Sequence, residues 1–261
     1  MTAATNVSIE VKELTRSFGS ITALDGINLA IDGPQIVGIA GPNGSGKTTL
    51  IRCLLGLLRP SNGSVSINGT DPTTLRSTER ARIGYMPQHE AVYEDLTVRE
   101  NVAFFARLYR VDERGAIDRA LDFVDLTERA DARVTKLSGG MVRRTSLACA
   151  LVHDPDILFF DEPTVGVDPE LRKSMWTAFR ERCDTGSLIL VSTHYLAEAS
   201  KCDRVLFLRD GRVLAFDTPQ SFLESTDTTD LEDAFLALLD RESDVDEEGT
   251  TGGDNAVGVA R

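Results

Sequence analysis

Gly41-Pro42-Asn43-Gly44-Ser45-Gly46-Lys47-Thr48-Thr49 fits the pattern G-x-x-x-x-G-K-[ST], a glycine loop whose backbone NH groups wrap nucleotide phosphates. Before it, Gln35-Ile36-Val37-Gly38-Ile39-Ala40 is a short apolar run rich in β-branched residues, the pattern of a buried parallel strand. After it, Leu50 to Leu58 has helical length and no breaker before Pro60, which predicts a helix over that range. Strand, loop and helix in this order let the loop amides and the helix N-terminus converge on an anion. Gly41, Gly44 and Gly46 permit close backbone approach to phosphate. Lys47 supplies a point charge for the β and γ phosphates, and the Thr48 hydroxyl a ligand for Mg²⁺.

Further along, Ile157-Leu158-Phe159-Phe160-Asp161-Glu162-Pro163 puts four apolar residues in a core strand and two carboxylates at its C-terminal end. That edge is where ligands sit in open α/β sheets. Asp161 is read as holding Mg²⁺ through its water shell, and Glu162 as accepting a proton from, or orienting, an attacking water. Ser187 to Ser192 is another buried strand, and it ends in Thr193-His194, so His194 falls at the same kind of edge. His89 and His153 have no such placement.

The remaining segments build outward from this core. Val7 to Val11 and Ile27 to Ile31 alternate with period two, as half-buried strands do, and Gly63 to Gly69 repeats the pattern up to an Asn68-Gly69 turn. A small antiparallel sheet flanking the core is therefore expected. Phe18 has two readings, a core aromatic or a stacking platform for adenine. Ile83 to Gln88 is a short strand that Pro87 must end. Thr97 and Glu100 form a capping box for a helix whose apolar stripe is Val98, Val102, Phe105 and Leu108-Tyr109. Ile117 to Val124 is a second helix, and no strand-like run interrupts this middle third, so a helical subdomain is placed at about 89–136. Ser138 can cap a helix running through Leu151, with Gly139 and Gly140 leaving its first NH groups open to an oxyanion. Glu170 to Arg182 is a helix in which Trp176 is a packing residue, and Val205 to Phe216 reads as a hairpin turning at Asp210-Gly211. Leu231 to Leu239 is a last short helix, and 241–261 reads as a disordered acidic tail. The fold class that follows is α/β: a P-loop NTPase, RecA-like core with a mostly parallel sheet, a small antiparallel β subdomain and an inserted helical subdomain.

Composition sets outer bounds. At 261 residues one large domain with a subdomain or tail is expected, and a net charge of -13 argues against nucleic acid as a partner. The only lysines are Lys12, Lys47, Lys136, Lys173 and Lys201, while acids run through every segment, a balance that looks like adaptation to a high-salt cytoplasm. Cys53, Cys149, Cys183 and Cys202 form no C-x-x-C pair, which suits reduced thiols in a cytosol. The N-terminus lacks the basic and apolar regions of a secretory signal, and no apolar run is long enough for a membrane span. Any membrane role must come through a partner.

Taken in order, Phe18, the glycine loop, Gln88, Leu137 to Met141, Asp161-Glu162, Asp168 and His194 resemble the ATP-binding subunit of an ABC transporter, over about Val7 to Leu239. The resemblance implies ATP and Mg²⁺ as cofactors. It makes Phe18 the aromatic that stacks on adenine, where the family more often has Tyr. Residues 41–49, among them Pro42, Asn43, Ser45 and Thr49, become the phosphate loop. Gln88 is implied to sense Mg²⁺ and couple to the membrane partner, Ser138, Gly139 and Gly140 to form the signature loop, Asp168 to lie between subunits, and His194 to meet the γ phosphate. Partners implied are an integral-membrane permease and a second ATP-binding subunit, an identical copy or a different one, paired head to tail. The stretches Tyr93 to Asn101, Gly166 to Pro169 and Ser192 to Leu196 are similar to the subclass that serves drug, antibiotic and sodium exporters. The expected location is the cytoplasmic face of the membrane. A soluble ATPase working on nucleic acid would need basic surface, and a switch without turnover would have no use for Glu162, Gln88 and His194.

Overall fold

The computed structural model describes residues 7–89, 91–111 and 114–250. Strands β1 (Ser8–Phe18) and β2 (Ile21–Asp32) pair antiparallel, and their alternating apolar residues, such as Ile9, Val11, Ile27 and Leu29, are buried while the residues between them are not. β3 (Ile36–Ala40) is buried at every position, as its apolar run requires. The glycine loop follows, then α1 (Lys47–Leu54). This helix stops short of the expected Leu58. Gly56 takes φ 68°, and a Cβ there would lie 2.6 Å from the Pro72 carbonyl oxygen, so a left-handed, close-packed turn ends the helix before Pro60 is reached.

β4 (Asn62–Ile67) pairs with β1 and completes a three-stranded antiparallel sheet in the order β2-β1-β4. The short α2 (Ser77–Arg80) leads to β5 (Ile83–Met86). From there to residue 157 every regular helix or strand among the described residues is helical: α3 (Val98–Leu108), α4 (Arg114–Phe123), short 3₁₀ turns, and α5 (Gly139–Leu151). The capping box of α3 is closed from both sides, with Thr97 Oγ1 accepting from Glu100 N at 3.1 Å and Glu100 Oε2 from Thr97 N at 2.8 Å. Its stripe departs from the expected one at the far end. Val98, Val102 and Ala106 are the buried row at four-residue spacing, whereas Leu108 falls two positions off that row and is 60% exposed.

β6 (Ile157–Asp161), α6 (Pro169–Asp184), β7 (Leu188–Thr193), α7 (Leu196–Ala199), β8 (Arg204–Arg209), β9 (Arg212–Asp217), α8 (Pro219–Thr226) and α9 (Leu231–Thr250) complete the order. The large sheet runs β5-β6-β7-β3-β8-β9, parallel except for the β8–β9 hairpin. Alternate residues of its strands feed two cores. Phe159, Leu190 and Leu206 face the antiparallel sheet and α1, while Phe160, Val191 and Phe207 face Leu147, Phe179 and Phe235 of the helices on the other side. The polar composition after Leu239 does not stop α9, which continues to Thr250. The segment holds helix-forming Glu and Arg and no proline, and Arg241 Nη2 donates to Ser225 O at 2.8 Å, tying it to α8. Residues 251–261 of the expected tail lie outside the described residues. None of the described helices is long and apolar enough to cross a membrane.

Candidate nucleotide-binding site

The parallel register fixes where the site forms. Ala40 is paired with Thr193 and Asp161 with Ser192, so the chain leaves β3, β6 and β7 at one edge through Gly41, Glu162 and His194. The glycine loop is shaped by contacts on its inner side. A Cβ on Gly41 would meet Leu208 O at 2.1 Å, and one on Gly46 would meet Ala23 O at 2.7 Å, whereas nothing lies within 4 Å of a Cβ on Gly44. The loop is thus pressed onto β8 and β2 at two glycines and open at the third. Pro42 and Asn43 are exposed, and Thr48 and Thr49 are partly covered. The Ser45 hydroxyl is buried without a hydrogen-bond partner. Lys47 is almost wholly buried and its Nζ donates to Gly41 O and Pro42 O, each at 2.9 Å. Burial pushes its ammonium below the ordinary lysine range, while the Glu162 and Asp161 carboxylates pull it back up.

Glu162 is the centre of the second layer. It takes a left-handed φ of 51° directly after β6, an uncommon conformation for a non-glycine residue, held by Ser192, whose O and Oγ accept from Glu162 N at 3.2 and 2.9 Å. Its Oε1 stands 3.7 Å from Lys47 Nζ, and its Oε2 stands 3.3 Å from both Gln88 Nε2 and His194 Nδ1. Lys47, Thr48, Thr49, Asn43, Gln88 and Glu162 line a cavity of about 270 Å³. Asp161 is fully buried behind them. Its Oδ1 accepts from Ser192 Oγ at 2.6 Å, and its Oδ2 has no hydrogen-bond partner.

Other residues singled out from the sequence lie outside that cavity lining. Phe18 is 46% exposed at the end of β1, with the Arg16 guanidinium 4.5 Å from its ring centre, which removes the core-aromatic reading. Ser138 caps α5, its Oγ accepting from Met141 N at 3.4 Å, and Ser138 and Gly139 are exposed. Asp168 is exposed and caps α6, accepting from Leu171 N at 2.9 Å, so hydrogen bonding to that amide holds its carboxyl below the ordinary range. Among the other histidines, His153 stacks on Tyr109 at 3.7 Å and bonds the Ile83 carbonyl, a packing role, and His89 is exposed.

Arg143 was not singled out from the sequence. Its buried guanidinium donates to the carbonyls of Gln88 at 2.7 Å, Pro163 at 3.0 Å, Asp161 at 3.3 Å and Glu162, pinning the segment after β5 to the segment after β6. The signal available was its place on the buried row of α5, four residues before Leu147, where an arginine needs internal partners.

A family model described as "ABC transporter" matches residues 24–165. The chain is similar to the "Nod factor export ATP-binding protein I" of Paraburkholderia xenovorans (strain LB400), 39% identical over 222 residues, spanning 84% of this chain and 73% of that protein. Among solved structures, an ATP-binding subunit of an ABC transporter superposes with a TM-score of 0.81 at 29% identity, covering 88% of this chain and 99% of that one. A second, an ATP-binding cassette described as a dimer in a post-hydrolysis state bound to ADP and Pi, gives a TM-score of 0.74 at 28% identity, covering 80% of this chain and 98% of that one. A strand-loop-helix glycine cradle, two carboxylates on the neighbouring strand end, and these likenesses over most of the chain agree: the chain belongs to the ABC transporter ATP-binding family.

Proposed function

We propose that this chain is the ATP-hydrolysing subunit that powers a membrane permease for export. The observation that carries the hydrolytic part is the placement of Glu162 within 3.3 to 3.7 Å of Lys47, Gln88 and His194 at the cavity lip. Two features fit bound MgATP. The unpartnered Ser45 hydroxyl and the unpartnered Asp161 Oδ2 are buried polar atoms of the kind a phosphate and a cation's water shell would satisfy. Residues 41–49 would hold the phosphates and Phe18 the adenine; Thr48, Asp161 and Gln88 would hold Mg²⁺. When bound, the cation neutralises charge on the phosphates. The protein's own contribution is then positional. Lys47 exchanges its carbonyl partners for phosphate oxygen, Glu162 orients a water and takes its proton, and His194, held 3.3 Å from Glu162, faces the terminal phosphate.

Exposed Ser138 and Gly139, partly covered Gly140 beside them at the start of α5, and Asp168 are read as the surface offered to the nucleotide of a second ATP-binding subunit, a second copy of this chain or a different one. The permease contact is read at Tyr93, Phe104 and Leu108. Tyr93 and Phe104 rings meet edge-on at 4.9 Å, and Leu108 lies one turn beyond Phe104, so a substantial apolar patch faces outward. Tyr93 is held rigidly there, its amide and carbonyl both bonded by the buried Asn101 side chain, and it follows Gln88 by five residues. A permease seated on this patch would place the chain at the cytoplasmic face of the membrane. Export follows from the named relative and from the stretches at 93–101, 166–169 and 192–196, with a drug-like, antibiotic or ionic cargo contacted by the membrane subunit.

Steady-state ATPase of the purified chain in high salt with Mg²⁺ tests the hydrolytic reading. Turnover in the wild type and a loss of about 100-fold or more in Glu162→Gln, the size of a general-base contribution, is the expected result. Equal turnover in both proteins would remove Glu162 from the chemistry.

A further inference from the structure

Glu198 on α7 is 4% exposed and takes no part in the cavity lining. A carboxylate out of water is costly unless it is paired, and Glu198 draws its partners from three separate segments. Its Oε2 accepts from Thr164 Oγ1 at 2.7 Å and from Thr193 Oγ1 at 3.3 Å. Its Oε1 stands 3.4 Å from Arg172 Nε, an ion pair without hydrogen-bond alignment. Thr164 follows Glu162 by two residues, and Thr193 immediately precedes His194. Arg172 lies in the first turns of α6, where its Nη2 donates to Val167 O at 3.2 Å, beside Asp168. The same arginine stands 6.0 Å from the ring of Tyr195, whose amide donates to Thr193 Oγ1 at 3.0 Å.

We propose that Glu198 is a positioning residue: it fixes the 3.3 Å approach of Glu162 to His194 and ties that approach to the placement of Gly166, Val167 and Asp168 through Arg172. The arrangement works because the carboxylate is satisfied only while all three segments are in register. A shift of the 166–168 segment, whose Gly166 and Asp168 are exposed while Val167 is buried, carries Arg172 with it and strips a partner from a buried charge. The segments bearing Glu162 and His194 then lose a shared anchor. The surface read as facing a second subunit is thereby mechanically connected to the hydrolytic pair, by side chains outside the cavity lining. This inference rests on reading Glu162 and His194 as that pair.

Two variants of the full chain test it. Glu198→Gln keeps an accepting oxygen for Thr164 but loses the charge opposite Arg172, and Arg172→Met, at a half-buried site, removes the other partner without emptying the interior. Each is expected to lower kcat about 10-fold, equivalent to about 1.4 kcal/mol, with KM for ATP within about twofold of wild type. The double variant should be no slower than the slower single one, since both break one link. Amide hydrogen exchange gives a readout independent of turnover: residues 163–168 and 193–196 should both exchange faster in either variant, with residues 36–54 unchanged. Unchanged exchange in both segments would overturn the proposal, as would wild-type kcat in both variants. A wild type that exchanges as expected relative to the variants but never hydrolyses ATP would instead overturn the hydrolytic reading while leaving the three-segment anchor standing.

Discussion

The glycine-loop end of the candidate site and the proposed signature edge at Ser138 to Gly140 are built to different standards. Around Gly41, Lys47, Asp161 and Glu162 the chain is buried, pressed against β8 and β2, and cross-braced by Ser192 and Arg143. Around Ser138, Gly139 and Asp168 it is exposed, the Ser138 and Asp168 side chains cap α5 and α6, and a Cβ on Gly139 would meet nothing within 4 Å. The first region is finished within one chain. The second is a capped edge that turns outward, the form that the proposed contact with a second subunit needs.

Substituting glycines at the two ends should expose this difference most sharply. Gly41→Ala drives a methyl group against the Leu208 carbonyl at 2.1 Å and should cost about 3 kcal/mol of stability by denaturant unfolding. Gly139→Ala has nothing within 4 Å and should leave the unfolding midpoint unchanged while abolishing ATP-dependent pairing, seen by sedimentation. Equal effects on stability would erase the distinction. Next in size, Lys47→Ala should weaken ATP binding by about 30-fold, roughly the 2 kcal/mol of a charge-assisted hydrogen bond, in an equilibrium titration with a fluorescent nucleotide. Smaller still, Phe18→Ala should weaken the same binding by about fivefold, since an exposed aromatic contributes only about 1 kcal/mol of stacking.

The phosphate end was legible in the sequence because its determinants are local: a β-branched run, a fixed glycine spacing, and carboxylates on a strand end. The antiparallel sheet was legible for the same reason, since period-two alternation marks each strand by itself. What the sequence concealed depends on distant partners. Arg143 and Glu198 look like ordinary charged helix residues until the fold brings carbonyls from four residues to one, and hydroxyls from two strand ends to the other. The end of α1 was misplaced because Gly56 ends the helix by taking a left-handed φ of 68°, a conformation that a glycine permits but does not impose, and the neighbouring Pro72 turn leaves room there for no other residue. Leu108 was counted into the buried stripe because apolar character alone does not say on which row a residue falls. The continuation of α9 past Leu239 reverses the lesson: polar composition denies a segment a core but not a helix, and Arg241 is fastened to the α8 chain end.

The most direct test of the proposal that a second copy of this chain completes the site is the mass of the Glu162→Gln chain by light scattering, with and without MgATP. Doubling from one chain mass to two on adding ATP, with return to one on removing it, is the expected result. A single chain mass at a nucleotide concentration that fills the site would contradict it, and would mean that the exposed signature edge serves some purpose other than closing over the nucleotide of an identical partner.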